Sequence, residues 1–143
     1  MFIDAPEASA LHQPDLASYD RILVAFSGGK DSLAALLKTL RMLDEHGIDR
    51  SKVELHHHDV DGDGAIFMDW EITRGYCEAV AAHLELPLLY SYKIGGFQRE
   101  MNREESPTAP IRFEVLREDG TKEMREVGGD GPNGTRLKFP QVS

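Results

Sequence analysis

Two kinds of apolar pattern succeed each other along the chain. Residues 22–26, ILVAF, form a short continuous apolar run, typical of a strand buried on both faces in a parallel sheet. Leucines then recur at three- and four-residue spacing over 33–43, which predicts an amphipathic helix with Gly47 just past its end. The pattern therefore predicts a strand, a glycine-containing turn and a helix in succession.

The same order repeats further on. Residues 52–60, KVELHHHDV, predict a second strand, followed by a tight DGDG loop, a second helix over 68–87 and a third strand over 86–94. The second helix is expected to bury one face, made of Trp70, Ile72, Tyr76, Val80, His83 and Leu84. Alternating strands and helices predict an α/β fold with a Rossmann-like, doubly wound parallel sheet and right-handed crossovers.

The C-terminal part departs from this order. Residues 111–127 predict a β-hairpin around a two-residue turn at Asp119 and Gly120, with Val115 opposite Met124 and Glu114 opposite Arg125. The chain is accordingly divided into an irregular arm at 1–20, an α/β unit at 21–110, and the hairpin with a glycine-rich segment at 111–143.

The turn between the first strand and helix reads SGGKDS, residues 27–32. A helix start offers free backbone N–H groups to an anion, and glycines let the backbone approach a phosphate closely. Serine hydroxyls and the charge of Lys30 add to this, while Asp31 is explained if it caps N–H groups or helps to hold Mg²⁺. The Walker and dinucleotide-binding patterns are both absent, so a different phosphate loop is predicted.

Composition narrows the class of function. The chain has 143 residues, 41% of them hydrophobic, which is enough for one domain with a core. A formal charge of −9 disfavours a nucleic-acid surface, and the sequence has neither a membrane-length apolar run nor a secretory leader. The single cysteine, Cys77, fits a reducing cytoplasm and is expected to be a core residue. Small-molecule chemistry in the cytoplasm is favoured.

The histidine- and aspartate-rich segment 56–64 allows several interpretations. Its aspartates match the first half of a calcium loop, but Trp70 occupies the twelfth position; a zinc site on His56 and His58 lacks evident partners. Polar residues at a strand end and turn are a third interpretation. The fourth is the edge of a nucleotide site, in which backbone groups bond the adenine rim and Asp59 faces the ribose or a metal.

The string SGGKDS directly after a buried strand resembles the PP-loop of the ATP pyrophosphatase superfamily. Residues 55–101 are similar in order and spacing to the branch with phosphoadenosine phosphosulfate (PAPS) reductases, the small subunit of ATP-dependent sulfate adenylyltransferase and sulfurtransferases of DNA phosphorothioation. The GGF segment, hairpin and KFPQVS stretch are similar to bacterial and phage PAPS reductase-like proteins. The resemblance implies an adenine nucleotide alpha hydrolase-like fold, ATP and Mg²⁺, and adenylation of a sulfate or carbonyl oxygen with release of pyrophosphate.

The resemblance also implies site residues. Lys30 and Asp31 are the candidate catalytic residues, and Asp31 and Asp59 the candidate metal ligands. Arg136 and Lys138 are weaker candidates for binding a substrate anion. The nucleotide-binding residues are expected to be Ala25, Phe26, Ser27, Gly28, Gly29, Lys30, Asp31, Ser32, His58, Asp59 and Val60.

Two departures keep alternative functions open. The reductases use a cysteine near the C-terminus, which this chain lacks. Three strands are few for such a sheet, which predicts a fragment, a split subunit or a truncated chain. The alternatives are a non-catalytic nucleotide-binding subunit that needs a partner chain, and a PAPS reductase or sulfurtransferase. For the chain in general, a partner subunit or a homo-oligomer is expected.

Overall fold

The computed structural model describes residues 13–136, which form one sheet with helices packed on it. The strands are β1 (Ile22–Ala25), β2 (Val53–Asp59), β3 (Leu88–Lys93), β4 (Ile111–Leu116) and β5 (Lys122–Val127). The helices are α1 (Lys30–Glu45), α2 (Thr73–His83) and α3 (Gly96–Met101), and single 3₁₀ turns occur at Leu16–Ser18 and Arg50–Lys52. No helix in this described part of the chain is both long and apolar enough to span a bilayer.

The five strands lie side by side in chain order. β1, β2 and β3 are parallel, with Ala25 opposite His56 and His58 opposite Ser91. β4 is antiparallel to both β3 and β5. The predicted α/β class, the first three strands and the hairpin are confirmed, but the sheet is mixed, because the hairpin adds to the parallel part through the edge of β3.

The core lies between the sheet and the first two helices. Leu36, Leu40 and Leu43 of α1 and Cys77 and Ala81 of α2 are buried in one cluster. Their strand partners in this cluster are Val24, Val53, Leu55 and Leu88. Right-handed crossovers between strands that lie in chain order place successive helices on the same face. α1 and α2 share one core cluster, so these two helices do not give the second layer that a doubly wound sheet requires, and that arrangement is not confirmed.

The start of α2 differs from the prediction. Trp70 and Ile72 were expected on the buried face, yet they precede the helix and are 81% and 78% exposed. The Asp69 carboxylate accepts hydrogen bonds from the Trp70 N–H (2.7 Å) and the Thr73 hydroxyl (2.7 Å), which holds these residues in a loop ahead of the helix. Within the helix Cys77 and Ala81 are buried. Val80 and Leu84 of the expected face do pack against the core, whereas Tyr76 and His83 are exposed.

The predicted hairpin register is wrong by one residue. Glu114 lies opposite Met124 and Val115 opposite Glu123. The Arg117 N–H donates to the Thr121 carbonyl (2.8 Å), so the loop contains three residues, 118–120, rather than two. Gly120 has φ of +84°, as expected for the left-handed last residue of a three-residue hairpin loop. The extra loop residue shifts every cross-strand pair.

Candidate functional site

The glycine loop emerges from the carboxyl edge of the parallel strands. The Phe26 N–H donates to the His56 carbonyl (2.8 Å), which extends the pairing of β1 and β2 up to the loop. Gly28 follows with φ of +88°, a conformation that favours glycine, and Gly29 is the N-cap residue of α1. The glycine loop therefore connects the end of β1 directly to the start of α1, as the sequence predicts.

The helix start is organised by serine hydroxyls rather than by a side-chain cap. The Ser27 hydroxyl donates to Ser32 Oγ (3.1 Å), and the Ser32 hydroxyl donates to the Gly29 carbonyl (2.9 Å). Gly29, the N-cap residue, has no side chain that could cap the first turn of α1. Lys30 and Asp31 are exposed. The first-turn N–H groups and the Lys30 ammonium thus lie where an anion can reach them.

Two buried side chains, His57 and Cys77, contact the backbone at the end of β1 and the start of the glycine loop. His57 Nδ1 donates to the Phe26 carbonyl (2.9 Å), which fixes the proton on that nitrogen. Cys77 Sγ lies 3.5 Å from the same nitrogen. Burial, with a smaller contribution from Asp69 and Glu78, raises the pKa of the Cys77 thiol. A buried, protonated thiol agrees with the prediction that Cys77 is a core residue.

A cleft of about 590 Å³ lies beside the glycine loop, a size within the usual range of small-molecule sites. Ser27, Gly28 and Gly29 form part of its lining. The rest of the lining, here called the wall, consists of Asp69, Trp70, Ile72, Thr73 and Tyr76. These wall residues were missed as site residues because their apolar members matched the spacing of a buried helix face.

The wall is held in place by Asp61. Its buried carboxylate accepts hydrogen bonds from the backbone N–H groups of Phe67, Met68 and Asp69 at 2.9–3.1 Å. Burial by itself raises the pKa of Asp61, but these N–H donors outweigh it, so the pKa lies below its ordinary value. The ionised carboxylate thereby fixes the segment that leads to Trp70.

The residues at the end of β2 form hydrogen bonds with groups that do not line the glycine-loop cleft. The His58 ring contacts Ser91 Oγ (3.0 Å), and the Val60 carbonyl accepts the Phe97 N–H (2.9 Å). Asp59 accepts the N–H groups of Asp61 and Gly62, and its other oxygen lies 3.9 Å from Arg74 Nη1. Asp59 lines neighbouring clefts rather than the one that contains the glycine loop.

Ligands for a metal are sparse across residues 13–136. In this part no three His, Cys, Asp or Glu side chains are grouped closely enough to hold an ion, so the structure assembles no ligand set for the calcium or zinc interpretation. Asp69 is the carboxylate in the glycine-loop cleft, whereas Asp31 is exposed on the first turn of α1. Mg²⁺ bound to nucleotide phosphates needs only one or two protein carboxylates, and the lining of this cleft contains one, Asp69.

Arg136, one of the two candidate anion-binding cations, lies outside the cleft. Arg136 Nη1 is 4.0 Å from Glu100 Oε1, and the same carboxylate oxygen accepts the Arg103 Nε–H at 3.2 Å. The Arg136 backbone N–H donates to the Arg103 carbonyl (3.1 Å). Arg136 therefore belongs to an ionic cluster around a buried glutamate. Lys138 lies outside the described residues.

No protein-family model, curated protein or solved structure matches the chain. The functional assignment therefore depends on the motif and on the geometry of the cleft.

Proposed function

We propose that this chain binds ATP with Mg²⁺ in the glycine-loop cleft. In this proposal it is the PP-loop domain of a PAPS reductase-like protein, with a Rossmann-like, adenine nucleotide alpha hydrolase-like fold. It transfers the adenylyl group of ATP to an acceptor oxygen, of a sulfate or a carbonyl group, and releases pyrophosphate.

One observation carries the proposal. The uncapped N-terminus of α1 is presented by a glycine loop whose residues line a cleft of nucleotide-binding size. Backbone N–H groups and the positive end of the helix dipole bind phosphate without a dedicated cation. The Ser27 and Ser32 hydroxyls, which now bond each other, lie within the same loop and supply further donors.

The chemistry follows from where charge develops. Attack on the α-phosphate makes the pyrophosphate leave, and its growing negative charge is stabilised by the loop N–H groups and Lys30. Bound Mg²⁺ supplies further charge neutralisation, with Asp69 in the cleft, or Asp31 at the helix start, as its protein ligand. Most of the rate enhancement would come from holding the nucleotide and acceptor in line.

A second candidate function is a nucleotide-binding subunit that completes its site with a partner chain. It is favoured by the open face of β1, where Leu23 is 61% exposed although parallel strands are normally covered on both faces. Product analysis separates the two functions. The adenylating enzyme releases pyrophosphate when given its acceptor, whereas the subunit binds ATP and releases nothing alone.

Calorimetric titration of Lys30→Ala with ATP and Mg²⁺ tests the proposal. We expect the wild type to bind and the variant to lose about 1.5–3 kcal/mol of binding free energy, the range for a hydrogen bond to a charged group. Lys38→Ala, which removes an exposed lysine further along α1, is the matched control and should bind like the wild type. A folded wild type that gives no heat at millimolar ATP would refute the proposal.

A further inference from the structure

Trp70 is an exposed aromatic residue on a fixed backbone. It is the only tryptophan of the chain, and 81% of it is exposed. Its backbone N–H donates to Asp69 Oδ1 (2.7 Å), and its backbone carbonyl accepts the Thr73 N–H (3.0 Å). The preceding backbone is held by Asp61. The indole is thus presented to solvent by a segment that is anchored on both sides.

The neighbours of Trp70 divide the glycine-loop cleft into two chemically different halves. Ile72 is 78% exposed and Tyr76 is 41% exposed, and both line the cleft beside Trp70. The remaining lining includes the polar glycine loop, with Ser27, Gly28 and Gly29. A nucleotide has the same division, since its base is flat and largely apolar on its faces while its phosphates are anionic.

We propose that Trp70, flanked by Ile72 and Tyr76, is the wall on which the base of the bound nucleotide stacks, an inference that rests on the proposed function. The phosphates then occupy the glycine loop of the same cleft. At the end of β2 the Val60 carbonyl accepts the Phe97 N–H, which leaves it one lone pair for a ligand. Stacking uses the ring face, so this wall distinguishes nucleotides from inorganic polyphosphates rather than one base from another.

The expected contribution is measurable. Stacking of a base on an aromatic side chain is worth about 1–3 kcal/mol per base, or roughly 5- to 150-fold in affinity. The loss should be specific to ligands that carry a base. Tripolyphosphate, which shares the phosphate chain but lacks the nucleoside, should be unaffected by changes at Trp70.

The test is calorimetry of wild type, Trp70→Ala, Trp70→Phe and Met68→Ala with ATP·Mg²⁺ and with tripolyphosphate·Mg²⁺. We expect Trp70→Ala to bind ATP at least about fivefold more weakly and tripolyphosphate equally, while Trp70→Phe retains most of the ATP affinity. Met68→Ala is the matched control, since Met68 is exposed in the same loop without lining the cleft. Fluorescence gives a second readout, because ATP should change the emission of the single tryptophan and tripolyphosphate should not.

The outcomes separate the inference from the proposed function. ATP that binds wild type and Trp70→Ala equally, with unchanged emission, would overturn the stacking wall and leave the ATP site intact. Equal losses for ATP and tripolyphosphate in Trp70→Ala would assign Trp70 to holding the loop, which also overturns the inference. Failure of both ligands to bind the wild type would overturn the proposed function itself.

Discussion

Gly28 is the residue at which backbone conformation and packing both constrain the glycine loop. Its φ is +88°, and a Cβ built there would lie 3.0 Å from Cys77 Sγ. We expect Gly28→Ala to destabilise the protein by about 1–2 kcal/mol, the cost of a left-handed conformation for a residue with a Cβ. Urea denaturation measures this difference.

Gly75 offers a matched control for the same substitution. It lies within α2, and a Cβ there would meet no heavy atom within 4 Å. Gly75→Ala should therefore stabilise the protein by about 0.5–1 kcal/mol, since alanine loses less conformational entropy in a helix. A Gly28→Ala variant as stable as the wild type would show that the loop is not constrained as described.

At the scale of elements, the segment between β2 and α2 depends on the ionised Asp61 carboxylate. Its pKa is lowered in the folded state, so its stabilising contribution is complete above the ordinary value of 3.8 and is lost as the pH falls through the lowered pKa. Asp61→Asn leaves buried N–H donors poorly matched and should cost about 1–3 kcal/mol at neutral pH. It should also flatten the acid side of the stability curve.

Urea denaturation of wild type and Asp61→Asn at neutral and acidic pH measures both effects. Asp130→Asn, at an exposed aspartate outside the strands and helices, is the control and should follow the wild type. Stability curves for wild type and Asp61→Asn that run parallel down to pH 3, about one unit below the ordinary aspartate pKa, would contradict this role.

Sequence patterns predicted some elements well and others poorly for physical reasons. The apolar run of β1 predicted the strand but not its burial on both faces, because Leu23 is 61% exposed. The leucine stripe of α1 did report burial, at Leu36, Leu40 and Leu43, and Gly47 follows the end of α1 with φ of +66°. The wall at 69–76 depends on a carboxylate that bonds N–H groups six to eight residues away, which no periodicity reports. The hairpin register depended on a three-residue loop that contains the same Asp-Gly pair as a two-residue one.

At the scale of the whole molecule, the candidate site assembles from separate parts of the sequence. Parallel pairing of β1 with β2 brings the glycine loop to the same edge as the segment that starts at Asp59. The side chains of Thr73, Tyr76 and Cys77 of α2 pack next to Gly28, which brings the wall to the glycine loop. The site therefore exists only in the folded chain, and ligand binding should stabilise both of its sides together.

Hydrogen exchange with and without ATP·Mg²⁺, measured by mass spectrometry along the chain, tests the central claim most directly. The account predicts slower exchange of the amides at 27–33 and 69–76 when ATP·Mg²⁺ is present, because one ligand bridges the glycine loop and the wall. The hairpin at 111–127 should exchange at the same rate in both conditions. Unchanged exchange at 27–33 under saturating ATP·Mg²⁺, or protection confined to the hairpin, would contradict the claim that this loop binds the nucleotide.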